Sequence, residues 1–259
     1  MAAVADTPLL SVKGVTLRYR DQNGIVTATD KVEFQVSRGD RVVLLGPSGC
    51  GKSTLLKAVG GFLAPSEGNI TLNGRQVAGP GPDRVMVFQE FDQLLPWKTV
   101  RENVAFGLLA SRSLPKGEAH ERALEAIRTV HLEQFADAYP HTLSGGMKQR
   151  VAIARCLAMK PEIILMDEPF AALDALSRRR MQDELLELWS EYQFTMLFVT
   201  HSIEEALLLG SRIVVMSPHP GRVEEIIEAE QLQAAAGAHP EIAERIRQVL
   251  FRDAPDYVI

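Results

Sequence analysis

Short apolar runs separated by polar turns open the chain, and the rhythm changes twice before the end. Runs at Leu10–Val15, Val32–Val36 and Arg41–Leu45 predict strands, and a helix follows Lys52. Asn69–Leu72 and Arg84–Phe88 predict two more short strands, separated by the turn-rich stretch Gly79 to Pro82. Over residues 98–143 the pattern becomes helical, with Leu124, Ile127 and Val130 on one face and charges between them. After Ser144 the alternation of helix and strand returns. A helix runs to about Met159, then come the strand Ile163–Met166, a long helix through Leu188, and the strands Met196–Thr200 and Arg212–Met216. Strands alternating with helices predict an α/β fold with a mainly parallel sheet and crossover helices. The stretch 98–143 reads as a helical insertion in that core, and the residues after about 229 as a short helical tail.

Composition narrows the classes. With 46% hydrophobic residues in 259, the chain buries a proper core, yet no apolar stretch approaches the roughly 18 residues that span a bilayer. The start, Met1 to Pro8, has neither the basic beginning nor the apolar run of a signal peptide, so a cytosolic protein is expected. A net charge of −5 with both signs interspersed speaks against a nucleic-acid partner. The densest basic run, Arg178–Arg180, reads as a solvated helix face. Two cysteines, Cys50 and Cys156, imply no disulfide framework.

The chemistry begins at residues 46–54. Gly46, Pro47, Ser48, Gly49, Cys50, Gly51, Lys52, Ser53 and Thr54 form a G-x-x-x-x-G-K-[ST] phosphate loop between a strand and a helix, the context that gives the motif meaning. Glycines let backbone N–H groups curl around a phosphate chain, Lys52 can reach its outer phosphates, and the Ser53 hydroxyl suits Mg²⁺. A helix start and Lys52 beside Cys50 favour its thiolate, although a small residue that fits is reading enough for it. Glu162 to Pro169 is an apolar strand ending in two acids. Asp167 suits Mg²⁺ coordination, and Glu168 suits activation of an attacking water. A second anion-ready helix start, Ser144-Gly145-Gly146, lies within Leu143 to Arg150 and carries no phosphate-loop lysine. Either two phosphates bind in different places, or this start serves a nucleotide held by another copy.

Gly46–Thr54, Gln89, Leu143–Arg150, Ile163–Pro169, Ala172-Leu173-Asp174 and His201 occur in the order and spacing of the ATP-binding cassette family, which the chain resembles over nearly its whole length. The resemblance implies a phosphate-loop NTPase core with an N-terminal antiparallel β subdomain and an inserted α-helical subdomain. It implies one cassette: core at about 8–97 and 160–229, helical subdomain with the signature at about 98–159, and a tail at about 230–259. It implies a head-to-tail dimer around two ATP, in which Ser144, Gly145 and Gly146 serve the partner's γ-phosphate. Further roles come with it. Tyr19 stacks on adenine, Gln89 touches Mg²⁺ and the attacking water, His201 contacts the γ-phosphate, and Asp174 lies in a loop crossing the dimer interface. Two positions depart from the family pattern: Met147-Lys148, where glutamines are frequent, and Ala171, where serine commonly begins the interface loop.

Leu94 to Trp97, Val100 to Val104 and Gly79 to Asp83 resemble the nitrate, sulfonate and taurine importer branch. That implies a peripheral ATPase on the cytoplasmic face of the bacterial inner membrane, docked through residues 98–143 on a separate permease. A periplasmic solute-binding protein would be an indirect partner. Rival readings are an exporter cassette, a soluble cassette acting on nucleic acid or ribosomes, and a phosphate-loop kinase. The soluble cassettes usually carry two cassettes or a long coiled-coil insertion, and a kinase has no use for the Leu143–Gly146 signature.

Overall fold

A computed structural model describes residues 7–21, 24–89, 93–228, 231–232 and 240–251. Along the chain run β1 (Leu10–Asp21), β2 (Gly24–Val36), β3 (Arg41–Leu45), α1 (Lys52–Val59), β4 (Glu67–Leu72), β5 (Arg75–Gln76) and β6 (Arg84–Val87). Then follow α2 (Val100–Ala110), α3 (Lys116–Thr129), α4 (Gly145–Met159), β7 (Ile163–Asp167) and α5 (Ala175–Tyr192). The chain continues through β8 (Met196–Thr200), α6 (Ile203–Leu209), β9 (Arg212–Met216), β10 (Val223–Ile227) and α7 (Pro240–Phe251). The class is α/β, with an antiparallel sheet and a mainly parallel one, as the alternation predicts. The chain divides into two compact units, one of Met1–Pro80 with Thr195–Ile259 and one of Gly81–Phe194.

The first unit holds the antiparallel sheet in the order β2-β1-β4-β5. β1 and β2 are about twice as long as their apolar runs suggest, pairing from Leu10 with Val36 out to Asp21 with Gly24. β4 covers β1 only from Leu10 to Thr16, so the outer ribbon has two strands and little to pack on. Polar residues such as Arg18, Arg20 and Thr27 therefore serve there as well as apolar ones, and the alternation fades. In the parallel sheet, β3 lies between β8 and β9, and β10 joins β9 as an antiparallel strand. Val42 to Leu45 and Met196 to Val199 are wholly buried, which is why these strands read as unbroken apolar runs. β10, with Glu224 and Glu225 inside it, has no such run and escapes the pattern. α6 packs on β3, and α7 on α6 and β9.

In the second unit β6 and β7 pair in parallel from Arg84 with Ile163 to Val87 with Met166, and α4 packs on β6, α2 and α3. The helical insertion resolves into α2, α3 and two short 3₁₀ turns, Glu133–Phe135 and Pro140–Thr142. The buried stripe of α3 is mostly alanine: Ala119, Ala123, Ala126 and Ile127, with Val130 at its end. Small residues let α3 approach its neighbours closely. Thr99 and Glu102 form a reciprocal capping box at the start of α2, and the Thr99 amide's bond holds the Glu102 carboxyl below its usual range. α5 passes Leu188 and ends where Gln193 takes a left-handed conformation. Among the described residues no helix is long and apolar enough to cross a membrane.

Candidate functional site

β3 delivers the chain into the phosphate loop at Leu45, and α1 collects it at Lys52. Gly51 takes φ 96°, and a Cβ there would stand 2.5 Å from the Ala28 carbonyl oxygen and 2.8 Å from Thr29 Cγ2. A Cβ on Gly46 would stand 2.9 Å from both Cys50 Sγ and the Met216 carbonyl oxygen. Glycine is therefore dictated by what lies beneath the loop as well as by the curl above it. No side chain caps α1, so its first amides face the loop. Lys52 is only 4% exposed, and its ammonium donates to the carbonyls of Gly46 and Pro47, each at 2.8 Å. A cation is thus fixed inside the curl.

Of the two readings of Cys50, the structure favours the plainer one. It is buried, with Sγ 3.8 Å from Lys52 Nζ. Desolvation raises the thiol above its ordinary value, and the opposing pull of Lys52 is the smaller effect. Burial wins, and the thiol is a packed small residue.

The loop's floor was not legible in the motif. Gly221 donates to the Ala28 carbonyl and accepts from Asp30 N–H, tying the turn before β10 to β2. A Cβ on Gly221 would lie 2.0 Å from the Cys50 carbonyl oxygen. The only signal in the sequence was a Pro-Gly turn at 220–221. His201 follows β8, whose Thr200 pairs with Leu45 of β3, so His201 and Gly46 leave the same end of neighbouring parallel strands. Thr200 Oγ1 accepts from Ser202 N–H at 3.0 Å, and Ser202 Oγ caps α6, which sets His201 in an exposed turn. Tyr19 is half exposed on the β1–β2 ribbon opposite Val26. Ser53 and Thr54 lie half-buried in the first turn of α1.

The second unit assembles the acids and the signature. Asp167 ends β7, 8% exposed, and Glu168 follows at φ 43°, a left-handed backbone that costs a non-glycine residue about 1–2 kcal/mol. Since Val87 pairs with Met166, Gln89 and Glu168 leave the same end of adjacent strands. Gln93 braces this end. Its amide donates to the Phe88 carbonyl at 2.9 Å and accepts from Phe88 N–H at 3.2 Å, while Arg155 of α4 donates to Gln93 from behind. Neither Gln93 nor Arg155 had a signal in the sequence.

Ser144 Oγ accepts from Met147 N–H at 3.3 Å and caps α4. Ser144–Met147 share a cavity of about 560 Å³ with Ala172–Asp174 and Arg180. Two motifs nearly thirty residues apart thus face one space. Asp174 accepts from Leu176 and Ser177 N–H at 3.1 and 3.0 Å, and its hydrogen bonds with Ser177 hold the carboxyl below its usual range. The basic run is only partly a solvated face. Arg179 and Arg180 are exposed, but Arg178 is half-buried and bonds to the loop before α5. At the entry to α2, Trp97 is 70% exposed. Buried Asn103 holds that turn by accepting from Leu95 N–H at 2.7 Å and donating to the Lys98 and Thr99 carbonyls at 3.0 Å.

The ABC transporter family model matches residues 29–171, more than half of the chain. A taurine import ATP-binding protein TauB of Rhizobium johnstonii is 56% identical over 198 residues, which cover 76% of this chain and 75% of that protein. An uncharacterized ABC transporter ATP-binding protein of Methanocaldococcus jannaschii, MJ0412, is 48% identical over 85% of this chain and 82% of its own length. Among solved structures, the dimeric ATP-binding cassette MJ0796, in a post-hydrolysis state with ADP and phosphate, is 35% identical with a TM-score of 0.74. That match covers 85% of this chain and 98% of the cassette. The cbiO1 cassette of Clostridium perfringens gives 0.76 at 29% identity, over 93% and 99%. With its phosphate loop, its acid-tipped strand and these relatives, the chain is a member of the ABC transporter family, an ATP-binding subunit that hydrolyses ATP.

Proposed function

We propose that this chain is the ATPase of a bacterial importer for a small anion of the nitrate, sulfonate or taurine kind. It works as a head-to-tail pair on the cytoplasmic face of the inner membrane, driving a separate permease that a periplasmic solute-binding protein feeds. It forms one cassette, with its core at about 8–97 and 160–229, a helical subdomain at about 98–159 and a tail at about 230–259.

The observation that carries the pairing is chemical. The described residues hold two glycine-rich helix starts suited to phosphate, and at α1 the Lys52 ammonium is bonded into the curl of the loop that precedes its helix. The start of α4 opens instead into a cavity shared with the 172–174 loop, a place for another copy's nucleotide. In this reading Gly46–Thr54 bind the triphosphate of ATP, Lys52 moves from its loop carbonyls to the outer phosphates, and Tyr19 stacks on adenine. Glu168 accepts a proton from the attacking water, Gln89 orients that water, and His201 meets the γ-phosphate. Ser144, Gly145 and Gly146 close over the partner's γ-phosphate.

Mg²⁺, when bound, neutralises charge on the transferred phosphate, and we assign it to the oxygen donors Ser53, Gln89 and Asp167. The donor chemistry fits. Asp167 is a nearly buried carboxylate, and among the described residues no cluster of three or more His, Cys, Asp or Glu forms a cage of its own. A hard cation that takes most of its ligands from phosphate and water needs no such cage. Exposed Trp97, braced by Asn103, is the contact offered to the permease.

Uptake of labelled taurine, alkanesulfonates and nitrate into cells lacking the chain tests the importer assignment. One of these uptakes should fall to background and return with the wild-type chain but not with Glu168→Gln. Unchanged uptake of all three overturns the substrate class.

A further inference from the structure

The loop Phe170–Asp174 joins β7 to α5 and walls the cavity in which Ser144–Met147 lie. No strand or helix ladder fixes it. Two turn bonds hold its backbone, Ala171 N–H to the Glu168 carbonyl and Leu173 N–H to the Phe170 carbonyl, each at 3.1 Å. Arg178, from the first turn of α5, adds bonds from its side chain. Its Nε donates to the Phe170 carbonyl at 3.3 Å, and its Nη2 to the Leu173 carbonyl at 3.0 Å and, at the limit of reach, to Ala171 at 3.5 Å. Three carbonyls from a five-residue loop converge on one planar fork, which requires one particular curvature of the loop. Asp174 returns the contact by capping α5 with its carboxylate, so helix and loop fix each other. The inward side chains, Phe170 and Leu173, are buried, while Ala172 and Asp174 stand exposed along the cavity.

We propose that Arg178 is a positioning residue for ATP hydrolysis: its guanidinium holds the 170–174 loop in the shape that a second copy of this chain meets when the pair closes on ATP. The proposal rests on the head-to-tail reading above. A loop already shaped loses little conformational freedom on docking, whereas an unclamped one must be ordered at every closure. Lysine keeps the charge but offers a single ammonium in place of a fork, so it cannot span the same carbonyls.

The test uses the full-length chain with Arg178→Lys and Arg178→Ala, each alone and combined with Glu168→Gln. Four quantities are read: affinity for a fluorescent ATP analogue, melting temperature, turnover, and ATP-dependent dimerisation by light scattering. ATP affinity and the melting temperature of Arg178→Lys should match the parent. Turnover, and dimerisation in the Glu168→Gln background, should fall about tenfold or more in both variants, the scale of losing hydrogen bonds from a charged donor, with lysine giving no rescue. Parental dimerisation and turnover in either variant overturn the clamp and leave the head-to-tail reading standing. Loss of melting temperature and ATP affinity in both variants also overturns it, because Arg178 would then hold the fold rather than the interface loop. If Glu168→Gln with Arg178 intact fails to dimerise on ATP, the head-to-tail reading falls and the proposal falls with it.

Discussion

Two of the described helices begin on glycine-rich turns, and their surroundings are built in opposite ways. The start of α1 is closed. Gly51 is pressed against β2, no side chain caps the helix, and Lys52 lies buried in the curl of its own loop. The start of α4 is open. Ser144 caps it, a Cβ on Gly146 would meet nothing within 4 Å, and the turn faces a cavity of about 560 Å³. A site that encloses its ligand with its own backbone carries steric demands from below. On the head-to-tail reading proposed above, the α4 start is half of an interface, and its surroundings stay empty for what arrives. The same residue type therefore means different things at the two places.

The contrast is sharpest in catalysis. Glu168→Gln should cut hydrolysis by about 10²–10⁴ while ATP still binds at the α1 loop, measured by phosphate release beside nucleotide affinity. Normal turnover would remove Glu168 from the chemistry. Next in size, Lys52→Ala should weaken ATP binding to the single chain by about 10–100-fold, the value of a charge-assisted bond to phosphate. Ser144→Ala should leave that affinity within about twofold and lower turnover instead, as expected of a bond made only on closure. Equal loss of affinity in the two variants would erase the distinction between the starts.

Stability separates them again. Gly51→Ala places a methyl 2.5 Å from a backbone oxygen at φ 96°, and should cost about 1–3 kcal/mol, a fall of several degrees in Tm. Gly146→Ala should leave Tm within about one degree, as surface changes without a clash do. The smallest effect concerns the thiol buried in the closed start. Because burial raises the Cys50 pKa, less thiolate exists at any given pH than in a free cysteine, so alkylation should be slow near neutrality and accelerate only in alkaline buffer. Mass spectrometry should find ATP protecting Cys50. Cys156, pushed up to about 12 by full burial, should stay unmodified throughout and serves as the internal reference.

Legibility followed the same division. β3 and β8 were readable because strands buried on both faces have no polar positions to interrupt them. The outer parts of β1 and β2 were not, since a two-stranded ribbon tolerates polar residues, and β10 was hidden by its paired glutamates. The helical character of 98–143 was plain. Its division into α2 and α3 depended on a capping box and a run of buried alanines that hydrophobicity alone underweights. Arg178 is the instructive miss. Three consecutive arginines look alike in a sequence, and only the path of the preceding loop makes the first of them half-buried.

The amino-acid sequence by itself determined the features that contiguous residues can define. These are the phosphate curl from Gly46 to Thr54, the acid pair at the end of an apolar strand, and the capped glycine start at Ser144. Each depends on local backbone freedom and on side chains a few residues apart. Tertiary structure alone decided what lies under and around them. It built the floor of Ala28, Thr29 and Gly221 beneath the loop, the raised pKa of Cys50, the common cavity of Ser144–Met147 and Ala172–Asp174, and the Arg178 fork. Burial and hydrogen bonding between distant segments have no period and no spacing in a sequence; they exist only once the chain has closed on itself.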